Sequence, residues 1–248
     1  MSITSIKING VLPMVPGMKT LDDFIVTNWF PDFPSVTGSV IGGYYFGSAV
    51  NDITLNSFNN AVPAVVNGNL ENSAGYIRAN QSNYLNTNLK TDGPTKIISV
   101  IRRPPAPTGG SCFFVGDFST SSNVGFALGI GTDGNLRMVA QTAGGALGVS
   151  YVSFPGSVAV GDLCVVAGHA YQNQVYSAVY DPDAQNYTGA LATLYGTLSA
   201  GSLDILIGRR QVGNNASSSV DIKSAVIISG AVTGSEQLAV MKYMLAMQ

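Results

Sequence analysis

Residues 203–248 constrain the fold of this chain more than any other stretch. They read LDILIGRR, then a polar Gly/Asn/Ser loop, then VDIKSAVIISGAVTGSEQLAVMKYMLAMQ. The pattern predicts a strand, a loop, a second strand and one short helix over about residues 234–246. Thr233 and Glu236 stand three apart immediately before an apolar run, the spacing of a capping box. Leu238, Met241 and Leu245 then recur at helical spacing, with Val240 and Met244 widening the stripe. Almost everything upstream reads as short strands, so a β-protein closed by a single amphipathic helix is expected.

Upstream, TKIISVIRR is a strong strand ended by Pro104, Pro105 and Pro107, and SCFFVGDF follows it. Residues 123–130 and 136–141 form an expected hairpin, because an Asp-Gly turn (Asp133, Gly134) lies between two β-runs. Residues 149–154 read as a strand. Residues 163–171 and 174–181 read as a second hairpin through Gln172 and Asn173, while 190–198 fits strand or loop. Residues 44–91 supply further short runs: YYFGSAV, VPAVVNG, AGYIRA and NYLNT. Strands at this spacing, separated by turn residues, favour an all-β, two-sheet antiparallel sandwich.

Residues 1–43 differ. They carry Pro13, Pro16, Pro31 and Pro34, the one tryptophan, Trp29, and Phe24, Phe30 and Phe33. Proline at this density argues against sheet interior. We read 1–43 as an N-terminal arm with a short helical turn over 20–24, and 44–248 as the sandwich. The arm's aromatics need burial, on their own domain or on a neighbouring copy. The second alternative predicts a homo-oligomer.

Only 10% of residues are Asp, Glu, Lys or Arg, the net charge is −2, and 29 glycines are present. So few charges fit either surface buried in an oligomer or a rigid Gly-rich β-protein. The basic doublets Arg102–Arg103 and Arg209–Arg210 lie in no aromatic-interleaved basic stretch, which argues against nucleic acid as a partner. No apolar run of about 18 residues occurs, so no membrane span is expected. The opening MSITSIKING lacks the basic-then-apolar layout of a secretion signal, so synthesis and folding in a cytoplasm are expected. Cys112 and Cys164 sit in apolar runs and read as buried free thiols; a disulfide between them is the alternative.

From residue 44 to 247 the order of elements resembles the concanavalin A-like, laminin-G-like jelly roll. TDGPTKIISVIRR is similar to the strand that opens that family's core, and FALGIGTDGNLRMVA to its central hairpin. LDILIGRR resembles its late strand, and VDIKSAVIISGAVTGSEQLAVMKYMLA its last strand and closing helix. The lead-in AVPAVVNGNLENSAGYIRANQSNYLNTNLKT is similar to that of such domains in tail and virion proteins of tailed bacteriophages. The resemblance implies two antiparallel sheets and carbohydrate or protein recognition. It further implies a virion protein made in a host cytoplasm, assembling with other virion proteins, with a trimer the favoured homo-oligomer. Its function would be attachment to a host-surface glycan, or a structural role in tail or capsid without a ligand.

Catalytic groups are scarce. Glu71 and Glu236 are the only glutamates, and the clustered Glu-x-Asp-x-x-Glu strand of glucanases sharing the jelly roll does not occur. A glycosidase needs two carboxyl groups flanking the scissile bond. Asp181 and Asp183 could share a face, but DPDAQN is also an ordinary turn. His169, the one histidine, lies in the apolar run VVAGHAY with no Gly-x-Ser-x-Gly nearby. GIGTDGN and AGGALG lack the Gly-Lys-Ser/Thr of a phosphate loop. A non-enzyme without cofactor is therefore expected; Asp133, Asn135 and Asp117 are the residues that could hold calcium, against a plain turn reading. For glycan contact the candidates are Tyr171, Asn173, Tyr176 and Tyr180, aromatic platforms beside amides, although tyrosines alternating along strands also pack as ordinary sheet.

Overall fold

The computed structural model describes residues 28–47, 52–70, 72–73, 75–120, 122, 124–211 and 218–247. Phe24 and the helical turn expected over 20–24 lie outside them. The strands are β1 (Ser39–Tyr45), β2 (Val65–Asn67), β3 (Asn72–Ser73), β4 (Tyr76–Ala79), β5 (Tyr84–Asn86), β6 (Thr95–Arg102), β7 (Cys112–Gly116) and β8 (Gly125–Ile130). They continue as β9 (Leu136–Gln141), β10 (Gly148–Val152), β11 (Leu163–Tyr171), β12 (Gln174–Asp181), β13 (Asn186–Thr193), β14 (Leu206–Ile207) and β15 (Val220–Ser229), before α1 (Gly234–Ala246). All pairings are antiparallel. One sheet runs β13-β12-β11-β6-β15-β4-β3, with β1 also on β15; the other runs β10-β9-β8-β7-β14-β5-β2. The protein is a two-sheet antiparallel sandwich of jelly-roll type with one short C-terminal helix.

The two hairpins expected from their turns are present. Gly131 N–H donates to Asn135 O at 2.9 Å, with Gly134 at φ +76°, closing β8–β9. Gln172 takes φ +52° between β11 and β12, where Tyr171 pairs with Gln174. The ambiguous 190–198 stretch belongs in part to β13, an edge strand paired with β12 along its whole length. DPDAQN is a turn: Asp181 Oδ1 accepts from the N–H of Asp183 at 3.0 Å and from Ser157 Oγ at 2.8 Å. The Ser157 bond holds the Asp181 carboxyl below the usual range. Cys112 and Cys164 are buried free thiols, pushed up by burial to about 11 and about 12.

The central strands of the larger sheet, β6 and β15, are buried on both faces. In β6, Ile97 and Ile101 enter the core between the sheets, whereas Ile98 and Val100 face outward beneath α1. Of the expected stripe, Val240, Met241 and Met244 are buried against them and Leu238 and Leu245 pack half-buried on the same cluster, with Gln237 as the buried addition. Thr233 caps the helix as expected: its Oγ1 accepts from Glu236 N–H at 3.3 Å, and its own N–H donates to Glu236 Oε2 at 2.7 Å. Thr37 adds a second tie, donating to Glu236 Oε1 through N–H and Oγ1 at 2.8 and 2.7 Å. Thr233→Ala should therefore lower stability by about 1 kcal/mol, read as a shift of the urea midpoint. No shift would mean that α1 is held by its apolar face alone.

Residues 28–38 strap that helix to the sheet. Phe30 is 1% exposed and packs on Phe33 and Phe58 with ring centroids 6.2 and 5.5 Å apart. Trp29 stacks on Tyr45 at 5.4 Å, and Tyr243 donates its hydroxyl proton to Pro31 O at 2.6 Å. The aromatics from Trp29 onward thus find their burial within the chain itself, the first of the two alternatives. The boundary expected between 43 and 44 falls inside β1. A Cβ on Gly43 would lie 2.5 Å from the Phe58 ring, so close packing within the strand explains the glycine.

Candidate functional site

Among the described residues a concave surface lies on the outer face of the smaller sheet, over β7 to β10. In β8 the large residues Phe126, Leu128 and Ile130 point into the core, which leaves Gly125, Ala127 and Gly129 outward. A strand with no outward side chain larger than a methyl makes a trough. Phe113 closes over it: a Cβ on Gly129 would meet Phe113 Cδ1 at 2.7 Å. Phe118, Val139 and Val149 complete an apolar lining. The cavity so formed has a volume of about 380 Å³.

Two arginines stand on this apolar ground. Arg210 lies over Phe113 at 4.8 Å and over Phe118 at 5.7 Å, and burial followed by the neighbouring Arg209 lowers its pKa. Arg137 lies 4.8 Å from the Tyr151 ring centre, and is oriented by Ser111 Oγ at 3.3 Å and Asp133 Oδ2 at 3.3 Å. Tyr151 and Leu147 remain 47% and 46% exposed at the rim. Among the described residues no carboxylate lines the cavity. The arrangement offers ring faces, an apolar floor and fixed guanidinium donors, which suits binding an amphipathic, hydroxyl-rich ligand by stacking and hydrogen bonds.

The tyrosines singled out from the sequence lie elsewhere, on the larger sheet. Tyr171 stacks on His169 at 5.3 Å and accepts from Gln172 Nε2 at 3.1 Å, beside Asn173 in the turn. Tyr176 is half-buried against Tyr187 at 6.5 Å. Its hydroxyl is pushed up to about 12, by burial first. Tyr180 is 2% exposed beneath α1, with its hydroxyl donating to Gln185 Oε1 at 3.2 Å. Burial removes Tyr180 from any surface platform, so the structure does not bring the four together. Tyr171 and Asn173 alone are at an accessible edge.

Of the residues weighed for calcium, Asp133 and Asn135 form the hairpin turn, where Asn135 N–H donates to Asp133 Oδ1 at 3.2 Å, and Arg137 holds the other oxygen. Asp117 is 3% exposed, accepts from Phe126 N–H at 2.9 Å, and is raised by burial to about 6. Among the described residues no group of three or more His, Cys, Asp or Glu side chains comes together. Among them, too, no helix is long and apolar enough to cross a membrane.

No protein-family model matches the chain. No curated protein matches it either. Solved structures do match. The binding domain of botulinum neurotoxin serotype D superposes with a TM-score of 0.59 at 13% identity, over 82% of this chain and 51% of that one. Trypanosoma rangeli sialidase gives 0.57 at 14% identity, over 84% of this chain and 33% of that one. Domain 4 of a GH43 extracellular arabinanase from Geobacillus stearothermophilus, in complex with arabinotriose, gives 0.55 at 14% identity, over 82% of this chain and 98% of that one. The chain thus spans about a third of the sialidase and half of the neurotoxin domain. At such identity the likeness is one of fold: this chain and parts of those proteins are β-sandwiches of similar build.

Proposed function

We propose that the chain is a non-enzymatic recognition module that binds a glycan in the trough over β7–β10, with Tyr151 as the stacking platform and Arg137 and Arg210 as hydrogen-bond donors. The trough carries this reading: it joins exposed aromatic and apolar surface to oriented donors, and among the described residues no carboxylate pair lines it. The arabinanase domain, matched over 98% of its length, is described in complex with a sugar, which agrees in ligand class. The phage-like lead-in over residues 61–91 extends the proposal to its setting, a tailed-phage virion with this chain displayed as a homo-oligomer and the glycan on the host surface. No cofactor enters this function.

A glycan array followed by calorimetry tests it. Tyr151→Ala should weaken binding about tenfold, the ~1.4 kcal/mol expected for losing one aromatic anchor. Tyr171→Ala should leave it unchanged. If Tyr171→Ala weakened binding and Tyr151→Ala did not, the site would move to the β11–β12 edge. Release of reducing sugar would refute the non-enzymatic reading. A structural role in tail or capsid is the second reading. Val65 in the edge strand β2 and Leu191 in the edge strand β13 are 51% and 62% exposed, and such apolar edges suit contact with another protein.

A further inference from the structure

A second site, independent of the trough, sits on the outer face of the larger sheet where β4, β15 and β6 run side by side. Arg78 of β4 grips Asp221 of β15 with two bonds, Nε to Oδ1 at 2.9 Å and Nη2 to Oδ2 at 3.1 Å. Arg102 of β6 approaches the same carboxylate from the other side, with Nε at 3.6 Å, too long for a hydrogen bond. That buried Nε has no hydrogen-bond partner. Both guanidiniums lie over one ring, Tyr76, at 5.8 and 5.3 Å, so the two like charges are near neighbours. Arg103 lines the same cleft, held over Phe154 at 4.7 Å. The cleft encloses about 270 Å³, and Asp221 is the one carboxylate among its lining residues.

Three guanidiniums therefore line a cleft in which Asp221 is the one carboxylate among the described residues, and both of its oxygens are engaged by Arg78. Guanidinium forks match the spacing of oxygens on a tetrahedral oxyanion. We propose that this cleft binds a sulfate or phosphate group. Arg102, 40% exposed and steadied by Nη1 donating to Gly161 O at 2.7 Å, presents its exposed guanidinium, Arg103 closes the rim, and Asp221 acts as an internal competitor that positions Arg78 and limits affinity. The group is supplied either as a free ion or as an ester on a sugar.

Calorimetric titration of the whole chain with inorganic sulfate, inorganic phosphate and glucose 6-phosphate, at constant ionic strength against chloride, tests the site. Saturable binding of one ion per chain is expected. Arg102→Gln should weaken it at least tenfold, and Asp221→Asn should tighten it several-fold by releasing the competing carboxylate. Circular dichroism identifies a variant that fails to fold. Should Asp221→Asn fail, Arg103→Gln replaces it, and a loss of affinity is expected. Tighter binding of glucose 6-phosphate assigns the cleft to an ester, equal binding to the free ion. Non-saturable, chloride-like behaviour, or an Arg102→Gln variant that binds as well as the parent, overturns the proposal.

Discussion

Replacing His169 by asparagine should make the protein gain stability between pH 7 and pH 4.5, a range over which the parent stays nearly level. His169 stands opposite Lys96 in the β11–β6 ladder, and its Nε2 is sealed from water without a hydrogen-bond partner. Burial first, and the Lys96 charge second, push the imidazole down to about 3, against an opposing hydrogen bond to the Gly230 backbone. The folded pKa is below the unfolded one, near 6.5, so in that window the unfolded chain holds a proton that the native state refuses. The His169 contribution is full above pH 6.5 and falls as pH drops toward 3. From pH 7 to 4.5 its loss is about 2 kcal/mol, after a discount for the partly exposed ring.

Asp117 works in the opposite sense. Its folded pKa, about 6, is above the unfolded 3.8, so stability increases as pH falls through that interval. The two effects nearly cancel in the parent; with His169 gone, the Asp117 effect stands alone, and the His169→Asn variant should gain stability on mild acidification where the parent stays nearly level. Urea midpoints at the two pH values measure this. Equal slopes in parent and variant would sink the assignment.

Phe30→Ala should cost about 3–5 kcal/mol, the penalty of deleting a buried aromatic ring. The ring is 1% exposed and belongs to the cluster of Ile98, Val100, Val226 and Met241 that joins the sheet to α1. Its removal opens a cavity at the junction of strap, helix and strands. The experiment also separates two roles for this stretch. A strap yields a large fall in the urea midpoint with unchanged light scattering, whereas an arm that docks on another copy yields changed scattering with little change in midpoint. Phe58→Ala, which touches Phe30 from the other side, should be strongly non-additive with it.

Elements whose signal is local were legible in the sequence. The β8–β9 hairpin announces itself through Asp133-Gly134, and α1 through Thr233 and Glu236, because turn and cap chemistry depend on residues a few positions apart. Lys96 shows where local reasoning ends. In TKIISVIRR, recognised as a strand, it is 3% exposed and donates to Gln237 Oε1 at 2.6 Å. The helix roofing that face is its cause, and nothing within the strand encodes the roof. The trough was hidden for the same reason. Its signal was the outward Gly-Ala-Gly of β8, but Arg137 and Arg210 reach its walls through a strand order that no short window contains. The tyrosine-rich stretch, by contrast, stood out in composition. Much of it is sheet packing: Tyr180 is spent beneath α1.

The position of β15 has a consequence for how the protein is made. It lies between β6 on one side and β1 and β4 on the other, and it is the last strand of the chain. During translation β6 is complete at residue 102, but its neighbour begins at residue 220. At about 5–20 residues per second, the nascent chain carries the open edge of β6 for on the order of 10 s. Over that interval Ile97, Ile98, Val100 and Ile101 border an unpaired ladder, a template for wrong partners. Chaperone supply and elongation rate should therefore govern the yield of soluble protein more than the stability of the finished sandwich does.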